Sequence, residues 1–253
     1  MINRRHLASA LALGAMSLQG LQAQPSGPPR VYGVMSLVAD YLTVTGFEST
    51  TGTLVRANPT ERIDLQTDEL ERVVIRVATR AVTDSRTGKA VPLLSDDGRL
   101  YGGQSKLVNG DEVNLPGFLS DTLRAQQATH LLLVTKHNGV ANMRARDVDL
   151  GTGRVEGLGF YLDRVTPLRL TSGGENSLGY LAPHVYLRLS LIDLQRNRVM
   201  SFRLVTATRV LIPAGTNAGA NPWDLMDSAA KMKVLSELIE EGTTPAWREI
   251  LAS

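Results

Sequence analysis

Eight residues from Thr129 to Lys136 (THLLLVTK) constrain the fold more than any other stretch of the chain. Four consecutive aliphatic residues lie between polar ends, and Asn138-Gly139 follows as a turn signal. An uninterrupted apolar run of this length is typical of a strand that is covered on both faces, as in the centre of an α/β sheet. The segment therefore predicts a central strand with helices packed above and below it.

The clearest helix is predicted over Thr67–Val82. Apolar residues recur there at helical spacing and form one stripe: Leu70, Val73, Val74, Val77, Ala78 and Ala81. Thr67 is the expected N-cap, and Asp68 with Glu69 suits the positive end of the helix. A second, weaker helix is predicted over Leu115–Ala128, with Pro116 near its start and Phe118, Leu119 and Leu123 on one face.

Strands are predicted on both sides of these helices. Val31–Thr45 is apolar and β-branched enough for one or two buried strands, and Gly46–Asp64 is expected to be mostly loop. Residues 184–194 alternate apolar and polar, and 199–211 follow after a turn at 195–198, which predicts an antiparallel hairpin. Its second strand carries Arg203 and Arg209 on one face and ends at Pro213, so we expect the hairpin to reach a sheet edge that is open to a partner.

The C-terminal part predicts a long helix capped by Asn221, with Pro222 in its first turn and Gly242 at its end. Thr244 and Pro245 are expected to start a short tail helix. Together these elements predict an α/β (α+β) fold, with a single mixed sheet, helices packed on it and an antiparallel hairpin near the C-terminus.

Residues 1–23 have the pattern of a cleavable export signal. Arg4 and Arg5 precede an apolar stretch from Leu7 to Leu18, and small or neutral residues continue to Ala23. Asn3-Arg4-Arg5-His6-Leu7 also resembles a twin-arginine signal, so both export routes stay open. We expect cleavage near Ala23, a flexible spacer over 24–30, one α/β domain over 31–253 and a periplasmic location.

Charge and cysteine content exclude several classes of protein. The chain has 27 Lys and Arg and 25 Asp and Glu, and the signal holds two arginines and no acid, so the mature part carries 25 of each. Without a basic excess, no nucleic-acid partner is expected. The absence of cysteine excludes disulfides, thiolate metal sites and a lipid anchor on cysteine. No second apolar run is long enough to cross a membrane.

Two short motifs resemble catalytic or nucleotide-binding signatures without their context. Ser228-Ala229-Ala230-Lys231 is an S-x-x-K motif, but the partner motifs of penicillin-binding enzymes are missing, which favours a solvated helix face. Gly151-Thr152-Gly153 and Gly157-Leu158-Gly159 do not form G-x-G-x-x-G, so we interpret them as turns and expect no cofactor. Asp149–Val155, Asp193–Val199 and, more loosely, Asp84–Lys89 share a turn-like layout and are interpreted as strand-to-strand connections.

The histidines predict no metal site. His130 and His137 flank one strand, point to opposite faces and lie about 20 Å apart. His184 could meet Asp163 only through tertiary contacts, and a polar residue at a strand end is the simpler interpretation. The aromatic residues Phe160, Tyr161, Tyr180 and Tyr186 are expected in the core and at its rim rather than on a stacking platform.

Two families share features with this sequence. Ser36–Thr43 resembles the first block of SGNH hydrolases, but Ala39-Asp40-Tyr41 stands where Gly-Asp-Ser would carry the nucleophile, which implies at most a degenerate, inactive relative. Residues 128–134 and 185–199, with Leu191–Leu194 before a turn, resemble the α/β fold of TolB N-terminal domains and CsgG-like envelope proteins. The opening block is similar to exported proteobacterial proteins of unknown function.

These observations favour a non-enzymatic envelope accessory or binding protein, whose partner could be another envelope protein. The alternative is a hydrolase, degenerate and SGNH-like, with a site that linear spacing does not reveal. The sequence identifies no catalytic residue, no cofactor and no oligomeric state.

Export should remove residues 1–23. Intact-mass measurement of the protein purified from the periplasm should give a chain that begins at Gln24, because the pattern ends in small residues at Ala23. Recovery of the full-length chain from the cytoplasm alone would show that the N-terminal pattern is not a signal.

Overall fold

The structure is a computed structural model that describes residues 30–47, 58–145, 148–169, 176–213 and 221–252. The expected signal, 1–23, and nearly all of the spacer, 24–30, lie outside the described residues. The described strands are β1 (Arg30–Leu37), β2 (Tyr41–Gly46), β3 (Thr60–Asp64), β4 (Gly88–Leu93), β5 (Val108–Asn109), β6 (Glu112–Val113), β7 (His130–Lys136), β8 (Asn138–Val140), β9 (Met143–Ala145), β10 (Val148–Leu150), β11 (Arg154–Arg169), β12 (Asn176–Asp193) and β13 (Arg198–Thr208). The described α-helices are α1 (Glu69–Ser85), α2 (Gly98–Leu107), α3 (Gly117–Ala125) and α4 (Ser228–Ala252).

The fold class is confirmed: a large mixed sheet carries helices on both faces, beside a small hairpin of β9 and β10. Strand β1 runs parallel to β4 and β7, and β2 runs parallel to β11. Strand β12 is antiparallel to β7, β11 and β13. The expected C-terminal hairpin is thus β12–β13.

One long strand holds two half-sheets together. Along one edge of β12, the part up to Tyr186 pairs with β11, and the part from Leu187 onward pairs with β7. The first half-sheet therefore contains β4, β1 and β7, and the second contains β3, β2 and β11. Strand β13 lies along the opposite edge of β12.

Strand β7 is buried on both faces, as predicted, with Leu131–Val134 at 0–1% exposure. Leu132 and Val134 belong to the core under α1 and α4, whereas Leu131 and Leu133 pack with residues of α2 and α3. A third cluster, rich in tyrosine, fills the other face of the second half-sheet. Among the described residues, no helix is long and apolar enough to cross a membrane.

Several element boundaries differ from the sequence expectation. Helix α1 begins at Glu69, and Asp68, not Thr67, occupies the N-cap without a side-chain cap bond. The segment Asp84–Lys89 joins a helix to β4 rather than two strands. The expected loop over Gly46–Asp64 contains β3. Helix α2 was not predicted, because its three glycines and its short length weaken the apolar pattern.

The C-terminal helix is the largest correction. Asn221 caps only a 3-10 turn, Pro222–Leu225, and α4 begins separately at Ser228. Gly242 does not end α4, because the helix continues through Pro245 to Ala252. A Cβ on Gly242 would lie 2.8 Å from Val205 Cγ1, so the glycine serves close packing of α4 on β13.

Val74 tests the packing of α1. Its side chain is fully buried under α4 and the sheet, so Val74→Asp should lower the free energy of unfolding by at least about 3 kcal/mol, because a carboxylate would enter an apolar core. Urea unfolding measures the loss. Arg80→Asp on the exposed side of the same helix is the control for the helix propensity of aspartate, and equal stability of the two variants would refute the packing.

Candidate functional site

A polar cluster lies where β1 and β7 end side by side. The carboxyl ends of parallel strands are the usual location of ligand sites in α/β sheets. Here β1 leaves the first half-sheet at Leu37 and the chain enters the second half-sheet at Tyr41. The cluster consists of Asp40, Tyr41, Glu71 and Lys136.

Lys136 is the charged centre of the cluster. Its side chain is 2% exposed, and its ammonium group forms an ion pair with Asp40. Nζ also lies 3.1 Å from the centroid of the Tyr41 ring, and the Arg62 guanidinium lies 4.4 Å from the same centroid. Burial lowers the pKa of Lys136, and the Asp40 carboxylate opposes that shift.

Glu71 holds the chain where it crosses between the half-sheets. This buried carboxylate of α1 accepts hydrogen bonds through Oε1 from the backbone N–H groups of Val38, at 2.7 Å, and Ala39, at 2.9 Å. Val38 and Ala39 lie beyond the end of β1, so their N–H groups bond to this side chain and not to a neighbouring strand. The hydroxyl of the half-buried Tyr101 donates to Ser95 O, and burial followed by the charge of Glu71 raises the pKa of Tyr101.

The cluster is a packed clamp between the ends of the strands. Five surface depressions of about 220 to 540 Å³ lie on other parts of the molecule, and none of them is lined by Asp40, Glu71 or Lys136. Asp40, at the position equivalent to the aspartate of the SGNH block, faces Lys136 instead of preceding a serine. The geometry can therefore anchor the strand ends, and it presents no activated hydroxyl there.

The histidines are not brought together. His130 and His137 lie at opposite ends of β7, and no group of three possible metal ligands occurs among the described residues. His130 Nδ1 lies 2.9 Å from Thr129 Oγ1, but that hydroxyl already bonds the backbone of Val31. Asp193 beyond the ring accepts from the backbone and side chain of Arg196. These contacts order the ends of the strands.

His184 is not at a strand end, contrary to the sequence interpretation. It lies in the middle of β12, is fully buried, and contacts Thr43 Oγ1 through Nε2 at 3.4 Å. Burial lowers the pKa of His184 to about 4, so the ring is neutral in the core. Asp163 does not meet it, because its carboxylate closes a local turn by accepting from Val165 N, Thr166 N and Thr166 Oγ1.

The other motifs have structural roles. Lys231 Nζ donates to Met226 O at 2.6 Å and lies over the Trp223 ring, so it is turned away from a catalytic pairing with Ser228. Gly151 and Gly153 have positive φ in the turn before β11, as expected of turn glycines. The four aromatic residues Phe160, Tyr161, Tyr180 and Tyr186 are buried in the core.

The outer edge of β13 is the feature that sequence reasoning located only in part. Leu211 and Leu181 exchange backbone hydrogen bonds, and Arg209 N donates to Pro183 O. Because bonded pairs alternate along an antiparallel ladder, Phe202, Leu204 and Thr206 direct their N–H and C=O groups away from β12. Within the described residues, β6 pairs with the start of this edge at Arg198, and Val199 N donates to Asp111 O.

The edge also presents apolar side chains. Phe202 and Leu204 are 44% and 50% exposed and lie on the sheet face of Ser190 and Arg188, their partners in β12. The Arg188 guanidinium lies 4.4 Å from the centroid of the Phe202 ring. A depression of about 470 Å³ runs along residues 199–204 beside Asp111. An extended, unpaired and partly apolar edge of this kind is a template for another strand.

Two other edge strands, β3 and β4, are protected against pairing with a further strand. Strand β3 has the sequence TERID and exposes Glu61, Arg62 and Asp64, and β4 carries Lys89 and Pro92. Charges and proline are the usual devices against edge-to-edge pairing. From Ser201 to Thr208, β13 has neither a proline nor a charge other than Arg203, and a β-bulge at Met200 lies at its start.

The sequence predicts Arg203 and Arg209 at an edge that is open to a partner. In the structure both side chains bind α4 instead. Arg203 binds Glu249 of α4 and donates to its own neighbour, Phe202 O. Arg209 binds Glu237 and Glu241 of α4. Both guanidinium groups therefore fix α4 to β13, and Phe202 and Leu204 on the opposite face stay exposed.

Comparisons with known proteins give structural neighbours only. No family model and no curated protein matches the sequence. A PelC dodecamer from Paraburkholderia phytofirmans is 12% identical, with a TM-score of 0.31 over 88% of this chain and 94% of that chain. A putative neuraminyllactose-binding hemagglutinin homolog from Helicobacter pylori is 5% identical, with a TM-score of 0.38 over 88% and 82%.

Lipoprotein GNA1162 from Neisseria meningitidis is 6% identical, with a TM-score of 0.29 over 85% of this chain and 97% of that chain. These structures do not show the resemblance to TolB or CsgG proteins, which stays a prediction.

The clamp should respond unequally to loss of its two partners. Asp40→Ala should lower the free energy of unfolding by about 3 kcal/mol, because it leaves the buried ammonium group of Lys136 unpaired. Lys136→Met should cost less than half as much, since the stem still packs and Asp40, with 28% of its side chain exposed, can be hydrated. Urea unfolding of both variants measures the difference, and a larger cost for Lys136→Met would contradict the assignment of lysine as the buried partner.

Proposed function

We propose that the protein is an exported, non-enzymatic envelope protein that binds a protein partner by strand addition at β13. One observation carries the proposal: along the edge formed by Phe202, Leu204 and Thr206, no described strand pairs with the outward backbone groups, and Phe202 and Leu204 expose apolar side chains. Of these groups, Phe202 O accepts a hydrogen bond from Arg203 of the same chain and keeps a second lone pair for a partner. The N-terminal pattern of residues 1–23 supports export.

Strand addition fits the chemistry of this edge. An extended segment gains affinity from main-chain hydrogen bonds and specificity from side chains at alternate positions. On the face of Phe202 and Leu204 the partner would place apolar residues, and on the other face it would run beside Ser201 and Arg203. Because main-chain groups provide most of the bonding, the partner segment has to be extended rather than helical.

The protection of β3 and β4 favours strand addition at β13. Charged β3 and proline-containing β4 disfavour pairing, which favours β13 over those two edges for a partner strand. The ion pairs of Arg203 and Arg209 with α4 fix β13 on the sheet face opposite Phe202 and Leu204. The binding edge is thus preorganised, which limits the conformational entropy lost on association.

A photoreactive phenylalanine analogue at Thr206 should crosslink a protein partner in intact cells. The position is exposed, and its side chain lies on the face of Leu204. The same probe at Ile63, which is exposed on the protected strand β3, is the matched control and should give at least tenfold less adduct. Peptide mass spectrometry of the adduct should place the crosslink in an extended segment of the partner.

Adding Leu204→Lys to the Thr206 probe should abolish the adduct, because a charge on the edge opposes strand pairing. Surface substitutions of this kind change the folded monomer little, so the circular dichroism spectrum should match that of the parent. Equal adducts at Thr206 and Ile63, or adducts that survive Leu204→Lys, would exclude β13 as the binding element.

A further inference from the structure

We infer that the strand added to β13 is β13 of a second copy, giving a two-fold dimer with one sheet continuous across both chains. This inference rests on the proposed function and names its partner. The evidence is the register that the edge permits, the charges along it and the protection of the remaining edges.

Symmetry restricts the possible registers. A two-fold axis normal to the sheet makes the two strands antiparallel and keeps each side chain on its own face. One residue must then lie directly opposite its own copy, with the axis between the two. An axis at Arg203 would place two arginines opposite each other, and an axis at Phe202 would bring the bulge at Met200 into the ladder. An axis at Leu204 avoids both problems.

The register centred on Leu204 satisfies the open backbone groups. Leu204 would exchange N–H and C=O bonds with Leu204 of the second copy, and Phe202 would do so with Thr206, because these residues direct their backbone groups outward. Arg203 would lie opposite Val205, so no like charges meet. The two Leu204 side chains would cover each other on the exposed face, with Phe202 diagonally adjacent.

The ends of the strand are also compatible with self-pairing. Near the start of β13, Arg198 pairs with Asp111, and just beyond its end Arg209 pairs with Glu237 and Glu241. Antiparallel pairing brings the start of one copy near the end of the other, so each side offers both signs of charge. The dimer would use the unprotected β13 edge of both copies, while β3 and β4 stay protected, which closes the assembly at two chains.

The native chain contains no cysteine, which allows a clean crosslinking test. Leu204→Cys should crosslink to itself with a short bifunctional methanethiosulfonate, since opposed residues in a bonded pair have Cα atoms about 5.5 Å apart. Phe202→Cys and Thr206→Cys should each fail alone, because identical positions would be about 14 Å apart. An equimolar mixture of those two variants should crosslink, and Ile63→Cys should not.

Sedimentation of the uncrosslinked wild-type protein should give the mass of two chains, and Leu204→Lys should give one, with Ile63→Lys still dimeric. A monomeric wild type, or Phe202→Cys crosslinking to itself as readily as Leu204→Cys, would overturn the dimer. If the wild type is monomeric but the Thr206 probe captures a different protein through the same edge, the self-pairing inference fails and the proposed function stands. If neither self-crosslinks nor edge-dependent adducts form, both fail.

Discussion

The whole sheet depends on one backbone crossing, where the chain passes from β1 to β2. There the N–H groups of Val38 and Ala39 leave the ladder, and the buried carboxylate of Glu71 accepts both. Lys136, bound to Asp40, fixes the neighbouring end of β7 to the same crossing. Unpaired buried N–H groups would be costly, so this helix-borne carboxylate makes a sheet of two joined halves possible.

Much of the fold is encoded locally, and the parts that were mispredicted are those decided by tertiary contact. The apolar run of β7 and the stripe of α1 are strong periodic signals, and both elements lie where they were expected. Gly242 predicts the end of one helix and Pro245 the start of another. Helix α4 nevertheless continues through both residues, because Gly242 packs against Val205. The burial of His184 follows from the second half-sheet covering β12, which no local pattern announces.

The outer edge of β13 could be anticipated from the sequence but not located. The hairpin and its arginines were recognisable, whereas the identity of the edge strand depends on which strands pair across the sheet. The sequence gives no indication that Arg203 and Arg209 are neutralised by α4. Strand β13 differs from the other two edge strands in its charge. Charged residues and proline protect β3 and β4, whereas eight consecutive residues of β13 have only one charge, and that charge is directed to a helix.

The division of β12 between two half-sheets also determines when the chain can fold. Thr43 of β2 pairs with Gly159, and Tyr32 of β1 pairs with His130, so both parallel contacts close loops of about a hundred residues. The two half-sheets are not joined until β12 has been made, well past the middle of the chain. Long loop closures of this kind slow folding because their entropy is lost before the contacts form. The sheet therefore becomes continuous only after Asp193, well past the middle of the chain, has been synthesised.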